Sequence, residues 1–150
     1  MSTRIVQFLA ILIGALALIP SGAHLAALPN KIGLCQPEYF LVQGIYRGWW
    51  VLGLFWVAAL VANIVLAIVV RSQAGPFWLA LCAAACIVAM FAIFVAWTLP
   101  ANQATKNWTD VPAHWESLKR QWEYSHAANT AIVFIALCLV AASALSWRQA

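Results

Sequence analysis

FWLALCAAACIVAMFAIFVAWTL, residues Phe77 to Leu99, holds no charged side chain. A helix of that length crosses the roughly 30 Å hydrocarbon layer of a bilayer. In hydrocarbon a helix satisfies all of its own backbone polar groups, which no open strand does. Working outward, a tight turn from Arg71 to Pro76 separates this run from a second, Trp49 to Val70. A first run covers Ile5 to Leu28, with Pro20 inside it, and a fourth covers Ala127 to Trp147. Strand-like alternation is absent, which argues against a barrel. The expected fold is therefore all-α, a single domain over 1–150. It is an integral membrane four-helix bundle with spans at about 5–28, 49–70, 77–99 and 127–147.

Composition points the same way. Hydrophobic residues make up 65% of the chain and charged ones 8%, against about 25% charged in an ordinary soluble domain. The net charge of +4 comes from eight Lys+Arg and four acids, almost all outside the apolar runs. They read as topology signals and not as a nucleic-acid footprint. Trp49, Trp50, Trp78, Trp97 and Trp147 fall near the ends of runs, where an amphipathic ring sits at the headgroup level. Cys82, Cys86 and Cys138 lie inside runs, and with Cys35 they form no CxxC. They read as small packing residues.

Arg4, an apolar stretch and then Ser21-Gly22-Ala23 have the outline of a signal peptide. The apolar run continues past them to Leu28, so the segment reads as the first span. Four crossings put both long connections on one side and the termini on the other. The loop side holds Lys31, Arg47, Lys106, Lys119 and Arg120 with all four acids; the terminal side holds Arg4, Arg71 and Arg148. Counting cations favours a cytoplasmic loop side, whereas the usual dominance of the first helix favours cytoplasmic termini. Cytoplasmic termini are the expectation.

Two helices are expected to outgrow the membrane on the loop side. Asp110-Val111-Pro112 has a capping residue followed by a first-turn proline. Nothing from Pro112 to Trp147 breaks a helix. Trp115, Trp122, His126, Asn129 and Val133 share a face within about 60° at 100° per residue, with Arg120 and Glu123 pointing elsewhere. In the same way Gln36-Pro37-Glu38 begins an extension of the second helix, on which Tyr39, Gln43, Tyr46 and Trp50 share a face. Gly44 and Gly48 form a GxxxG pair where another helix could approach. Asn63, midway along the second span, is expected to hydrogen-bond a neighbouring helix.

Polar residues converge at the loop-side level. The first helix brings His24 and the second Gln43 and Arg47. The third brings Asn102, and the fourth His126 and Asn129. Polar groups near hydrocarbon face a bundle interior or a wet cavity, so a pocket is expected there, walled by Tyr46, Trp115 and Trp122. Packing alone also explains aromatics at helical spacing.

Leu99-Pro-Ala-Asn102, followed by Trp115, Leu118, Arg120, Trp122, Glu123 and His126, resembles the Pro-x-Asn … Trp-x-x-x-His signature of the anthrone oxygenase-like membrane proteins. Leu28-Pro-Asn-Lys31 and Gln43-Gly-Ile-Tyr46-Arg47 resemble bacterial members. The resemblance implies a four-helix membrane fold and a bacterial inner membrane. For fungal members it implies cofactor-free oxidation of anthrones to anthraquinones. The family often has Arg three residues after the His, where this chain has Asn129.

Three functional readings follow. In the first, the chain is a membrane subunit or scaffold within a larger complex or homo-oligomer, surrounded by lipid and offering a pocket at one membrane face. In the second, it is an oxygenase-like enzyme for a flat apolar ligand. There His126 is the base, Asn102 and Gln43 are oxyanion donors, and Trp115, Trp122 and Tyr46 form the slot, with no metal. In the third, His24 and His126 ligate haem, or join His114 at copper. Transport fits poorly, because the chain is short and has no visible inverted repeat. Phosphate-binding glycine loops, GxSxG and HExxH are absent from the sequence. No acid lies inside a span, which argues against ion-motive work.

Overall fold

The structure, a computed structural model, describes residues 2–148. Among the described residues six α-helices follow one another: α1 Thr3–Lys31, α2 Gln36–Gln43, α3 Leu54–Val69, α4 Ala74–Ile93, α5 Leu99–Ala104 and α6 Trp115–Ser146. Four helical stretches among these residues are long and apolar enough to cross a membrane: Thr3–Lys31, Trp49–Val69, Ala74–Ala104 and Trp115–Ser146. They pack as a ring, α1 against α3, α3 against α4, α4 against α6, and α6 back against α1. This is the expected all-α four-helix bundle. By length and composition it suits a multi-pass membrane protein.

The ring closes tightly because its inner faces are small. Ala10, Ala17, Ala59, Ala80, Ala83 and Ala136 are buried together with Leu66, Ile87, Met90, Val133 and Val140. In a bilayer such residues let backbones approach and gain dispersion contacts. The close approach lies at Gly14, where an added Cβ would meet Leu137 Cδ1 at 3.2 Å. Phe8, Ile19, Val57, Val88, Val95, Phe134 and Leu145 are exposed around the outside, a surface that suits lipid. Trp56 Nε1 donates to Ala17 O (3.1 Å) and Thr130 Oγ1 to Ser21 O (2.6 Å). These bonds fasten α3 and α6 to the stretch of α1 around Pro20. At the far end Gln73 and Arg148 exchange amide and backbone hydrogen bonds, tying the short turn to the end of the described chain.

Several boundaries differ from the sequence expectation. α1 runs through Pro29 to Lys31. The second span and its extension are not one helix. α2 gives way to a 3₁₀ turn at Gly44–Tyr46, and Gly48 sits at φ +86 before a second 3₁₀ turn, Trp49–Gly53. The expected face of Tyr39, Gln43, Tyr46 and Trp50 is thereby split, leaving Trp50 81% exposed. The GxxxG reading is also corrected, since a Cβ on Gly44 or Gly48 would meet nothing within 4 Å. Asn63 is buried, but it forms no hydrogen bond to a neighbouring helix among the described residues.

The third span passes through a π-turn, Phe94–Thr98, immediately before Pro100. Proline has no N–H for the carbonyl four residues back and clashes with it. One wider turn absorbs that clash without breaking the helix. α6 begins at Trp115 with His114 as its N-cap, not at Asp110. Asp110 is occupied elsewhere, 3.0 Å from Lys106 Nζ, and this ion pair and hydrogen bond hold its carboxyl below the usual carboxylate range. At 32 residues α6 is about 48 Å long, longer than the roughly 30 Å of a bilayer's hydrocarbon core.

Candidate functional site

The loop-side end of the bundle is filled by two tiers of aromatic and charged side chains. In the inner tier, α1 supplies His24 and, two turns later, Lys31. α6 supplies Trp122, Glu123 and His126. The His24 and His126 rings stack with centroids 4.0 Å apart and planes 26° apart. Trp122 meets both rings, at 4.9 and 4.3 Å, and Tyr46 lies 4.3 Å from His24. Lys31 Nζ sits 2.9 Å from Glu123 Oε1, with both side chains buried. The ammonium also lies over the rings of Tyr46 and Trp122, at 4.6 and 4.9 Å.

The outer tier connects to this pair through Tyr39, whose hydroxyl donates to Glu123 Oε1 at 2.9 Å. Gln43 Nε2 donates in turn to Tyr39 Oη. Burial, and then the Glu123 carboxylate, hold the Tyr39 phenol far above its ordinary value, so it remains a donor. Lys119 Nζ donates to Leu34 O at 3.0 Å and lies over Trp115 at 4.8 Å. Tyr39, Ala101, Trp108, Leu118 and Trp122 form a small core of their own.

Asn102 joins the tiers. Its Oδ1 accepts the indole N–H of Trp122 at 2.8 Å and of Trp108 at 3.2 Å. Trp108 reaches it because Lys106, Asn107 and Trp108 all adopt left-handed backbone, with φ between 47 and 64. L-residues resist that conformation. Here Asn107 N–H bonds Asn102 O at 2.7 Å and Trp108 N–H bonds Thr105 Oγ1 at 3.1 Å, which hold the turn shut.

The structure thus brings together His24, Gln43, Tyr46, Asn102, Trp122 and His126, residues the sequence had marked. Trp115 belongs to the outer tier, packed against Tyr39 and Phe40. Arg47 is exposed and stands outside the cluster. Asn129 is buried one turn deeper on α6. Asn102 bonds the two indoles and neither imidazole. Gln43 has already given an N–H to Tyr39, and its Oε1 is left without a partner. Where a pocket was expected, the described side chains pack ring on ring.

Glu123 corrects the helical-wheel reading most directly. On that wheel it lies off the functional face, yet it is 1% exposed and central. Lys31, Lys119 and Trp108 are further members of the cluster, and so is Tyr39, which lies on the expected face with Gln43 and Tyr46. A signal existed for some of them: His24 and Lys31 are seven apart, and Lys119, Glu123 and His126 recur at i, i+4 and i+7. That spacing puts each set on one helical face. The third imidazole, His114, is exposed at the helix cap, about 18 Å along the axis from His126. Among the described residues no group of three or more His, Cys, Asp or Glu could hold a metal ion, so the three-histidine copper arrangement is not assembled. Imidazoles stacked face to face also do not fit a haem bound between them.

Comparisons with protein-family models, with curated proteins and with solved structures find no match to this chain.

Proposed function

We propose that the loop-side end of the bundle is an acid–base site for a small, flat, apolar ligand arriving from the lipid. One observation carries this reading. His24 Nδ1, His126 Nδ1, Glu123 Oε2, Gln43 Oε1 and both amide atoms of Asn129 are buried without a hydrogen-bond partner among the described residues. Buried polar atoms are ordinarily satisfied. A cluster built only for packing would pair them, whereas a site keeps such atoms for a ligand or for water. A neutral imidazole offers one acceptor and one donor nitrogen, and His126 is the proton acceptor of this reading. Tyr46 and Trp122 enclose the two imidazoles, so a ligand reaches His126 by parting these packed rings. Asn102 acts as a positioning residue that fixes Trp122 beside His126.

The motif resemblance suggests an anthrone-type substrate. The base removes a proton from the acidic CH₂ and the carbanion reduces dioxygen. The resulting hydroperoxide loses water to leave a carbonyl, so one anthrone and one O₂ give one anthraquinone and one water. Replacing a general base typically lowers rate by about 10²–10⁴-fold. Membranes carrying wild-type protein should therefore turn over an anthrone, and His126→Ala should lose roughly that factor while retaining its helical circular dichroism. Undiminished turnover in the variant would remove His126 from the role. Absence of both binding and turnover in the wild type would overturn the ligand class.

A second reading, a subunit or scaffold in a membrane complex or homo-oligomer, rests on a different feature. Between α1 and α3 an apolar groove of about 360 Å³ is lined by Val6, Leu9, Ala10, Ile13, Val61 and Val65 among others, a shape that suits a partner helix. A larger assembly in mild detergent would support it. We further place the chain in a bacterial inner membrane with cytoplasmic termini, on the motif resemblance and the dominance of the first span.

A further inference from the structure

We propose that the groove between α4 and α6 at the loop-side rim binds one anionic phospholipid. The groove has a volume of about 420 Å³, and its lining is graded along the helices. Ile93 and Ala128 form the deep end, Trp97 and Tyr124 the middle, and Gln121 and Arg120 the outer end. Ala128 is eight residues from Arg120, about 12 Å along α6. That order of apolar floor, amphipathic rings and cation matches the order of acyl chain, interface and headgroup. Trp97 and Tyr124 are more than half exposed, at 52% and 57%, so a lipid can reach them.

The groove follows from the local sequence. The π-turn forced by Pro100 widens the helix at Phe94–Thr98. Gln121 Nε2 then bridges to Trp97 O at 2.7 Å, and the Thr98 and Ser125 hydroxyls pair at 2.7 Å. These bonds hold the π-turn against α6 along the groove. Ala128 is exposed and small, so the floor stays open.

Charge selects the occupant. Arg120 is exposed and forms no ion pair among the described residues. The acid one turn toward the membrane, Glu123, is turned inward to Lys31. A guanidinium presents several N–H donors in a plane that matches a phosphate. A headgroup with net negative charge satisfies Arg120, whereas a zwitterion brings its own cation.

The test is native mass spectrometry of the full chain released from vesicles mixing phosphatidylcholine with phosphatidylglycerol. The wild type should retain one phosphatidylglycerol in preference to phosphatidylcholine. Arg120→Gln should lower that retention about fivefold, the loss of one surface cation's attraction. Ala128→Leu should fill the floor and release the lipid while leaving the helical circular dichroism unchanged. Equal retention of the two lipids by the wild type would overturn the proposal, as would Arg120→Gln retaining phosphatidylglycerol like the wild type.

Discussion

Glu123 and Lys31 show what a buried charge needs in this protein. The carboxylate has Lys31 at 2.9 Å and the Tyr39 hydroxyl at 2.9 Å, both on Oε1. Removing one partner leaves the other buried and uncompensated, which typically costs about 3–5 kcal/mol. Glu123→Gln should therefore lower stability by about that amount in detergent unfolding, and Lys31→Met with Glu123→Leu should recover most of it. A Glu123→Gln protein as stable as wild type would mean the pair is solvated and unimportant. Asn102 is the other residue on which much depends, since one oxygen accepts two indoles. Asn102→Ala should destabilise by about 1–3 kcal/mol. It should also speed exchange of the Trp108 and Trp122 indole N–H protons in NMR, and unchanged exchange would rule out the clamp. Neither role was visible in the sequence. Asn102 was marked as polar at the right depth, but its partners come from 6 and 20 residues away, through a left-handed turn that no residue pattern announces.

Among the elements, the second span and its extension depart furthest from a simple helix. Gly48 holds a left-handed φ of +86 with open space around it, whereas Gly44 is helical with φ −58 and equally open space. The two glycines should respond oppositely to a methyl group. Gly48→Ala should lose about 1–2 kcal/mol from backbone strain alone. Gly44→Ala should be neutral or gain up to about 1 kcal/mol, because glycine is the poorer helix former. Equal losses at both positions in thermal unfolding would instead restore the GxxxG reading. The π-turn before Pro100 is the opposite case. A proline near the end of an apolar run foretells a perturbed helix, but not whether it kinks, ends or widens.

At the scale of the whole molecule, the connections around α2 and α5 share one end with the site, and the 70–73 turn shares the other with residue 148. Cys35 is exposed beside α2 on the loop side, and Cys82 and Cys138 are exposed within the spans. With cytoplasmic termini, a membrane-impermeant maleimide applied to intact cells should modify Cys35 alone, and Cys35→Ser should abolish labelling. Labelling that appears only after the membrane is opened would reverse the orientation.

The sequence by itself determined the number of long helices, their approximate limits and the end at which polar side chains gather. Those features depend on hydropathy summed over some twenty residues, which survives ignorance of every individual contact. It also marked His24, His126, Trp122 and Asn102, because polar and amphipathic residues from several helices converge where the apolar runs end. Only the tertiary structure decided which of the charged residues turn inward. Glu123 and Arg120 are three apart on one helix, yet one is buried against Lys31 and Tyr39 and the other is exposed. The difference is set by which neighbouring helix supplies a counter-charge within hydrogen-bond reach. That is a fact about packing between distant segments, and no local periodicity encodes it.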